Sequence, residues 1–256
     1  MLSLRDVSKT YLTEKSAVEA LCGLNLDIKE GAFVALVGQS GSGKSTLLHL
    51  LALIDHVTRG WFVFCGVRVD GLSEYKRVDL RRQTSSFIFQ ETRLIDELNV
   101  QDNVEVGLRY RDMAAIERRR RAEEAMDRVG ITHRAAHPVL ALSAGQQRRV
   151  EIARAIASRP RILFADEPSG DLDARGAAQM LQLLRQLNLG GTTVVMATHS
   201  AECAAIADEV VYLADGMRIV GTSGALRYGR AGLSGLCGRD PRRQPTERGA
   251  EIPAAG

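Results

Sequence analysis

The 256-residue chain predicts an α/β fold with a parallel core sheet, an antiparallel edge and a helical insertion. Three observations carry this reading. The apolar run Phe33–Val37 passes through the glycine-rich segment GQSGSGKS, Gly38 to Ser45, into a helical pattern over Ser45–Leu53. The β-rich runs Arg161–Ala165 and Thr192–Ala197 are separated by the helical stretch Ala174–Leu187, as in buried parallel strands joined by a crossover helix. Between these two regions, from about Val100, the apolar spacing turns helical, so residues 92–157 read as a helical lobe inserted into the core.

Along the chain, the first 37 residues alternate short apolar segments with turns, which predicts antiparallel strands at the edge of the core. Leu2–Val7, Leu24–Ile28 and Phe33–Val37 are the candidates, with a tight turn over Lys29-Glu30-Gly31. Trp61–Cys65 and Val67–Val69 read as two short strands split by Gly66, and Ser86–Phe89 as a strand that delivers Gln90 at its end. Helical spacing covers Val100–Tyr110 and Ala114–Val129, with Gly130 as terminator; beyond Pro138, Ser143 caps a helix running through Ala157. Glu209–Leu213 and Met217–Val220, joined by Asp215-Gly216, form a terminal hairpin. Residues 1–228 are therefore expected to form the folded domain. Residues 229–256, rich in Gly, Arg, Pro and Ala, are expected to form a flexible tail.

Composition narrows the classes of function. With 34 basic and 31 acidic side chains the net charge is +3, and no long basic block accompanies it, which argues against nucleic acid as a partner. Arg118–Arg121 is followed by Glu123 and Glu124 and reads as a solvated helix face. Cys22, Cys65, Cys203 and Cys237 form no CxxC pair, so neither a disulfide framework nor a metal cluster is expected. The apolar runs are too short to span a bilayer, and the first residues read as a strand rather than a signal segment, so residence on the cytosolic side is expected.

The chemistry begins at Gly38–Ser45. Glycines let successive backbone N–H groups converge on phosphate oxygens, and the helix that follows adds its positive end. Lys44 reaches the outer phosphates and Ser45 is placed to ligate magnesium. The run Ile162–Ala165 ends in two carboxylates with different tasks: Asp166 holds magnesium through water, and Glu167 orients or deprotonates the attacking water. Further polar residues stand where strands should end: Gln90, Asp171 and Asp173, and His199. Gln90 would contact magnesium or water, and His199 would bond the γ-phosphate and orient Glu167.

Residues 142–155, LSAGQQRRVEIARA, resemble the signature region of ATP-binding cassette (ABC) ATPases. The phosphate loop, Gln90, Ile162–Glu167, Asp173 and His199 follow in that family's order. The resemblance covers about residues 1–225. It implies a P-loop nucleoside triphosphate hydrolase core with an antiparallel β subdomain and an inserted helical subdomain. It also implies an ATP-dependent homodimer that sandwiches two ATP molecules, with Mg²⁺, between phosphate loops and opposing signature helices. On this basis Tyr11 would stack on adenine, and Gly38, Ser40, Gly41, Gly43, Lys44, Ser45 and Thr46 would hold the phosphates. Ser143, Gly145 and Gln146 would face ATP on the opposite subunit, Ser45, Gln90 and Asp166 would hold magnesium, and Lys44, Gln90, Glu167 and His199 would serve hydrolysis.

Two departures stand out: Ala144 replaces the usual first signature glycine, with strain expected if that position needs φ above zero, and Asp171 replaces a frequent asparagine. The segments VSKTY (7–11), LHLLALID (48–55), DNVE (102–105) and FADEPSGDLD (164–173) are most similar to ATPases serving lipoprotein-releasing, macrolide-export and cell-division permeases. The resemblance implies a separate integral-membrane permease, a peripheral place on the cytoplasmic face of the bacterial inner membrane, and a periplasmic partner reached through the permease. The cargo would be a lipoprotein, peptide or hydrophobic compound. The alternative is a mechanotransducing complex that regulates cell-wall enzymes and transports nothing.

Overall fold

A computed structural model describes residues 1–12, 16–170 and 172–219. The expected tail, Cys237 and Asp171 lie outside the described residues. Two sheets form the frame. The first is antiparallel, with β1 (Leu2–Leu12) between β2 (Ala17–Ile28) and β4 (Arg59–Phe64), and β5 (Val67–Arg68) at the far edge. The second has six strands in the order β10 (Met217–Ile219), β9 (Glu209–Ala214), β3 (Phe33–Val37), β8 (Thr193–Thr198), β7 (Ile162–Asp166), β6 (Ser85–Ile88). All neighbours in it pair in parallel except β10 with β9.

Phe33–Val37 thus departs from the expected antiparallel edge: it is a central parallel strand between β8 and β9. The reason is visible in its composition. Phe33, Val34, Ala35 and Leu36 are all fully buried, and a run apolar on both faces suits a strand covered on both sides rather than an edge. The six residues of β8 and the five of β7 are likewise buried throughout.

Strand alternation sends successive side chains to opposite faces of the second sheet. Phe33, Ala35, Leu163, Ala165, Val194 and Met196 join one core cluster. This cluster also takes in the apolar faces of α3 (Val100–Val106), α4 (Ala115–Arg128), α5 (Ala144–Ala157) and α6 (Ala174–Leu189). Val34, Leu36, Ile162, Phe164, Val195 and Ala197 face the other way. There they pack with α1 (Lys44–Leu51) and with the inner face of the antiparallel sheet, including Leu2, Leu4, Phe62 and Phe64. Each buried Phe or Leu contributes on the order of 1.5–3 kcal/mol, so both faces hold the sheet against its covering layers.

Helix α2 (Glu74–Thr84) was not anticipated, because its only buried residue is Thr84 and it offers no apolar stripe to read. The five-residue α7 (Ala201–Ala205) was equally silent; the Ser200 side chain caps it by accepting from Cys203 N. The basic run of α4 is the solvated face expected, since Arg119, Arg120 and Arg121 pair with Glu117, Glu123 and Glu124 along the helix. No disulfide joins the described cysteines, and no helix among the described residues is long and apolar enough to cross a membrane.

Candidate active site

The phosphate loop leaves the C-terminal end of β3 and enters α1, so its backbone N–H groups and the open helix end point to the same place. Two glycines are required by space. A Cβ at Gly38 would stand 2.4 Å from Leu213 O and 2.4 Å from Ser42 Oγ. At Gly43, where φ is +97°, it would stand 2.7 Å from Ala20 O. Lys44 is buried in the loop, and its Nζ donates to Gly38 O and Gln39 O, both at 2.9 Å. The ammonium therefore bridges the mouth of a cradle of donors. Ser42 Oγ, also buried, has no protein partner and adds a further polar group to it.

The ends of β7 and β8 supply the carboxylates and the histidine. Asp166 is buried and its Oδ1 has no hydrogen-bond partner. Burial pushes its carboxyl upward from the usual aspartate range, while a hydrogen bond from Ser45 and the nearby charges of His49 and Lys44 oppose this. A buried, half-satisfied carboxylate next to a hydroxyl is a donor set that suits a hard divalent cation whose remaining ligands are water and phosphate. Among the described residues no cluster of three or more His, Cys, Asp or Glu side chains offers an all-protein metal cage, so the fit is to a cation that arrives with its own oxygen ligands.

Glu167, one residue on, has φ +43°, an uncommon conformation for a non-glycine residue. Its backbone N–H donates to Ala197 O at 2.9 Å, which ties it to β8. Its Oε1 lies 2.8 Å from His199 Nδ1. The carboxylate is largely shielded whereas the His199 side chain is 78% exposed, so one edge of the ring holds Glu167 and the other faces the open site. Gln90 follows β6 and is exposed, at the same end of the sheet. Thus the phosphate loop, Gln90, Asp166, Glu167 and His199 all stand at the carboxyl ends of parallel strands, where open α/β sheets bind ligands.

Tyr11 belongs to the other sheet. Its hydroxyl donates to Asp55 Oδ2 at 2.7 Å and also contacts Thr46 at the start of α1. Lys9 Nζ sits 4.8 Å from the ring centre and bonds Asp55 Oδ1 at 2.6 Å. Burial, reinforced by Asp55, raises the phenol above its ordinary range. The structure therefore sets the tyrosine ring beside the helix that carries the phosphate loop and locks it by a buried lysine and an aspartate. Sequence reading missed Lys9 and Asp55: Asp55 closes the apolar run Leu50–Ile54, but Lys9, between Ser8 and Thr10, carries no such signal.

Ser143 caps α5 as expected. Its Oγ accepts from Gln146 N at 3.4 Å while Gln146 Oε1 accepts from Ser143 N at 3.1 Å, a reciprocal capping box. Ala144 takes the first helical position with no positive φ, so the strain tied to a left-handed conformation there does not arise. Ser143, Gly145 and Asp173 line a cavity of about 590 Å³ walled by α5 and α6, and no phosphate-loop residue lines it. Ser143 and Gly145 thus face a cavity to which the phosphate loop of the same chain contributes nothing.

Residues 21–170 match the family described as ABC transporter. The macrolide export ATP-binding/permease protein MacB of Chlorobium luteolum is 43% identical over 217 residues, covering 85% of this chain and 32% of that protein. An uncharacterized ABC transporter ATP-binding protein of Methanocaldococcus jannaschii is 41% identical over 216 residues, covering 84% of this chain and 96% of that protein. A solved structure, the dimeric post-hydrolysis state of the ATP-binding cassette MJ0796 bound to ADP and Pi, is similar with a TM-score of 0.81 and 38% identity. That match covers 85% of this chain and 96% of the other. The chain spans about a third of the length of the MacB relative and nearly all of the archaeal one.

Proposed function

The chain belongs to the ABC transporter family, and from that premise we propose that it is the ATP-hydrolysing cassette that powers a separate integral-membrane permease. The observation that carries the enzymatic half is the convergence of the phosphate cradle, Asp166 with Ser45, and Glu167 with His199 at one end of one sheet. Lys44 would leave Gly38 O and Gln39 O for phosphate oxygens as ATP enters, and the loop N–H groups would hold the β- and γ-phosphates. Magnesium, held through Ser45, Asp166 and Gln90, would neutralise charge on the transferring group.

Glu167 then accepts the proton of the attacking water, and His199 fixes its orientation. With Nδ1 at 2.8 Å from Glu167 Oε1, the other ring nitrogen of His199 would be free to bond the γ-phosphate. That Ser143 and Gly145 line a cavity without phosphate-loop residues supports completion of each site by a second copy, and a dimeric relative bound to ADP and Pi agrees with this.

The membrane half rests on a groove of about 900 Å³ between α2, α3 and the end of β6. Its walls include Ile54, Tyr75, Val78 and Phe89 together with Arg93. Tyr75 is 81% exposed, an uncommon setting for a large aromatic side chain beside other apolar groups. Its occupant would be a cytoplasmic segment of the permease, apolar with an acidic group to meet Arg93, since Arg82 is paired with Asp79 and Arg111 with backbone carbonyls. Relatives named ATP-binding/permease combine the two activities in one protein of which this chain matches a third, which supports such a partner. The cargo reading remains a lipoprotein, peptide or hydrophobic compound, and the cassette would sit on the cytoplasmic face of the inner membrane.

Affinity purification from detergent-solubilised native membranes, with partners identified by mass spectrometry, tests this. A stoichiometric integral-membrane protein that is lost on Tyr75→Asp is the expected result. Recovery of the wild-type chain only as a soluble species would overturn the permease reading.

A further inference from the structure

One buried ion pair lies outside every role so far assigned. Arg148 and Glu151 occupy successive turns of α5, the helix that Ser143 opens, with side chains 4% and 1% exposed. Arg148 Nη1 meets Glu151 Oε2 at 2.7 Å. A buried pair recovers its desolvation cost only if its remaining donors and acceptors are used. Here they are used on backbone, and on a particular set of backbone groups. Arg148 Nη1 also donates to Phe89 O and lies 3.5 Å from Gln90 O. Arg148 Nε donates to Pro168 O at 3.2 Å, and Nη2 to Glu167 O at 3.3 Å. Glu151 Oε1 accepts from Phe89 N at 3.3 Å.

The pair therefore grips the segment that leaves β6 at Gln90 and the segment that leaves β7 at Glu167, from a single point on α5. It grips Glu167 at the carbonyl of the residue whose φ is positive, a conformation that persists only where its surroundings impose it. Phe89, held by both N–H and C=O, turns its side chain into the groove described above, where Arg93 lies 4.5 Å over its ring. Burial pushes the Glu151 carboxyl upward and the attraction of Arg148 opposes it.

We propose that Arg148, locked by Glu151, is a positioning residue: it fixes the backbone of Glu167 and joins it to the Phe89–Gln90 segment, so that the carboxylate is set for hydrolysis only while α5, β6 and β7 keep this arrangement. The inference rests on Glu167 being the water-activating carboxylate. It assigns no contact between Arg148 and nucleotide. Its effect falls on turnover and not on ATP affinity, because no Arg148 or Glu151 bond reaches the phosphate loop.

The test uses the full chain with two variants. Arg148→Met combined with Glu151→Leu removes both charges, so no unpaired ion is left in the core. Arg148→Lys keeps the pair with Glu151 but cannot span the carbonyls with a planar fork. Thermal unfolding, fluorescent-nucleotide binding and steady-state ATPase rates are measured on each. The expected result is ATP affinity within about twofold of wild type and kcat lowered about tenfold or more in the double variant, as a small misplacement of a catalytic group implies, with a smaller loss in Arg148→Lys.

If the double variant does not fold, Arg148→Lys decides alone. Wild-type kcat in a folded variant, or loss of ATP affinity in step with kcat, overturns the proposal. Glu167→Gln is run alongside: if it retains hydrolysis, the premise about Glu167 fails, whereas loss in Glu167→Gln with wild-type kcat in the Arg148 variants rejects the positioning role alone.

Discussion

Gly145→Ala separates what the fold needs from what a nucleotide sandwich needs. Gly145 lies in the first turn of α5 without a positive φ, and a Cβ there would meet only Leu172 Cδ2, at 3.9 Å. That is ordinary van der Waals contact. Alanine in place of a helical glycine stabilises by up to about 1 kcal/mol, which for a domain of this size raises Tm by roughly 2–4 °C. The nucleotide-free protein should therefore be as stable as wild type or slightly more so.

The face that Gly145 presents is the one proposed to meet ATP on the opposite copy, where a methyl group would hold the backbone N–H away from phosphate. In a Glu167→Gln background, ATP-dependent dimerisation measured by analytical ultracentrifugation should weaken about tenfold or more, equivalent to about 1.4 kcal/mol. Gly43→Ala provides the contrast. With φ at +97° and Ala20 O only 2.7 Å from the new Cβ, it must strain the fold itself, by about 1–2 kcal/mol from conformation alone. A Tm for Gly145→Ala several degrees below wild type would refute the structural reasoning, and unchanged dimerisation would refute the role of the signature turn.

Two further outcomes follow from burial. The His199 side chain is 78% exposed, so His199→Ala should leave stability within about 0.5 kcal/mol. Loss of its bond to Glu167 should nonetheless lower ATP turnover by about 10²-fold with nucleotide still bound; turnover equal to wild type would remove His199 from the mechanism. Asp166 is a carboxyl raised by burial, so the folded state holds its proton more tightly than the unfolded state. Its cost is absent below the usual value of 3.8 and grows as pH rises through the folded value. Asp166→Asn should therefore stabilise the nucleotide-free, magnesium-free protein at pH 7 in urea unfolding, by an amount that shrinks toward pH 4. A difference that does not change with pH would show that Asp166 is not a buried charge.

Why some of this was legible in the residues and some was not follows from where each signal resides. The phosphate loop is local: the steric demands at Gly38 and Gly43, the lysine and the serine lie within a span of one turn and one helix start, so their order alone specifies the cradle. The ends of β7 and β8 were readable for a related reason, since a strand buried on both faces keeps charged groups out of its middle and leaves them to its carboxyl end, which is where Asp166, Glu167 and His199 stand. The placement of Phe33–Val37 was misread because the turns before it suggested a hairpin, and a parallel partner such as Val194–Thr198 lies far along the chain.

The Arg148–Glu151 clamp and the Lys9–Asp55 lock escaped for a stronger reason. Each is a charged pair whose sense depends on a distant backbone carbonyl or a distant ring: Arg148 on Phe89 and Glu167, Lys9 on Tyr11 and Asp55. Helical spacing shows that Arg148 and Glu151 share a face with Ile152, but that pattern alone also fits a solvated stripe. What distinguishes the two is burial, which the sequence of α5 cannot state and the packing of β6 and β7 against it decides. Residues that carry bond-making chemistry are thus recognisable from local order, whereas residues that position them become visible only when remote strands are brought together.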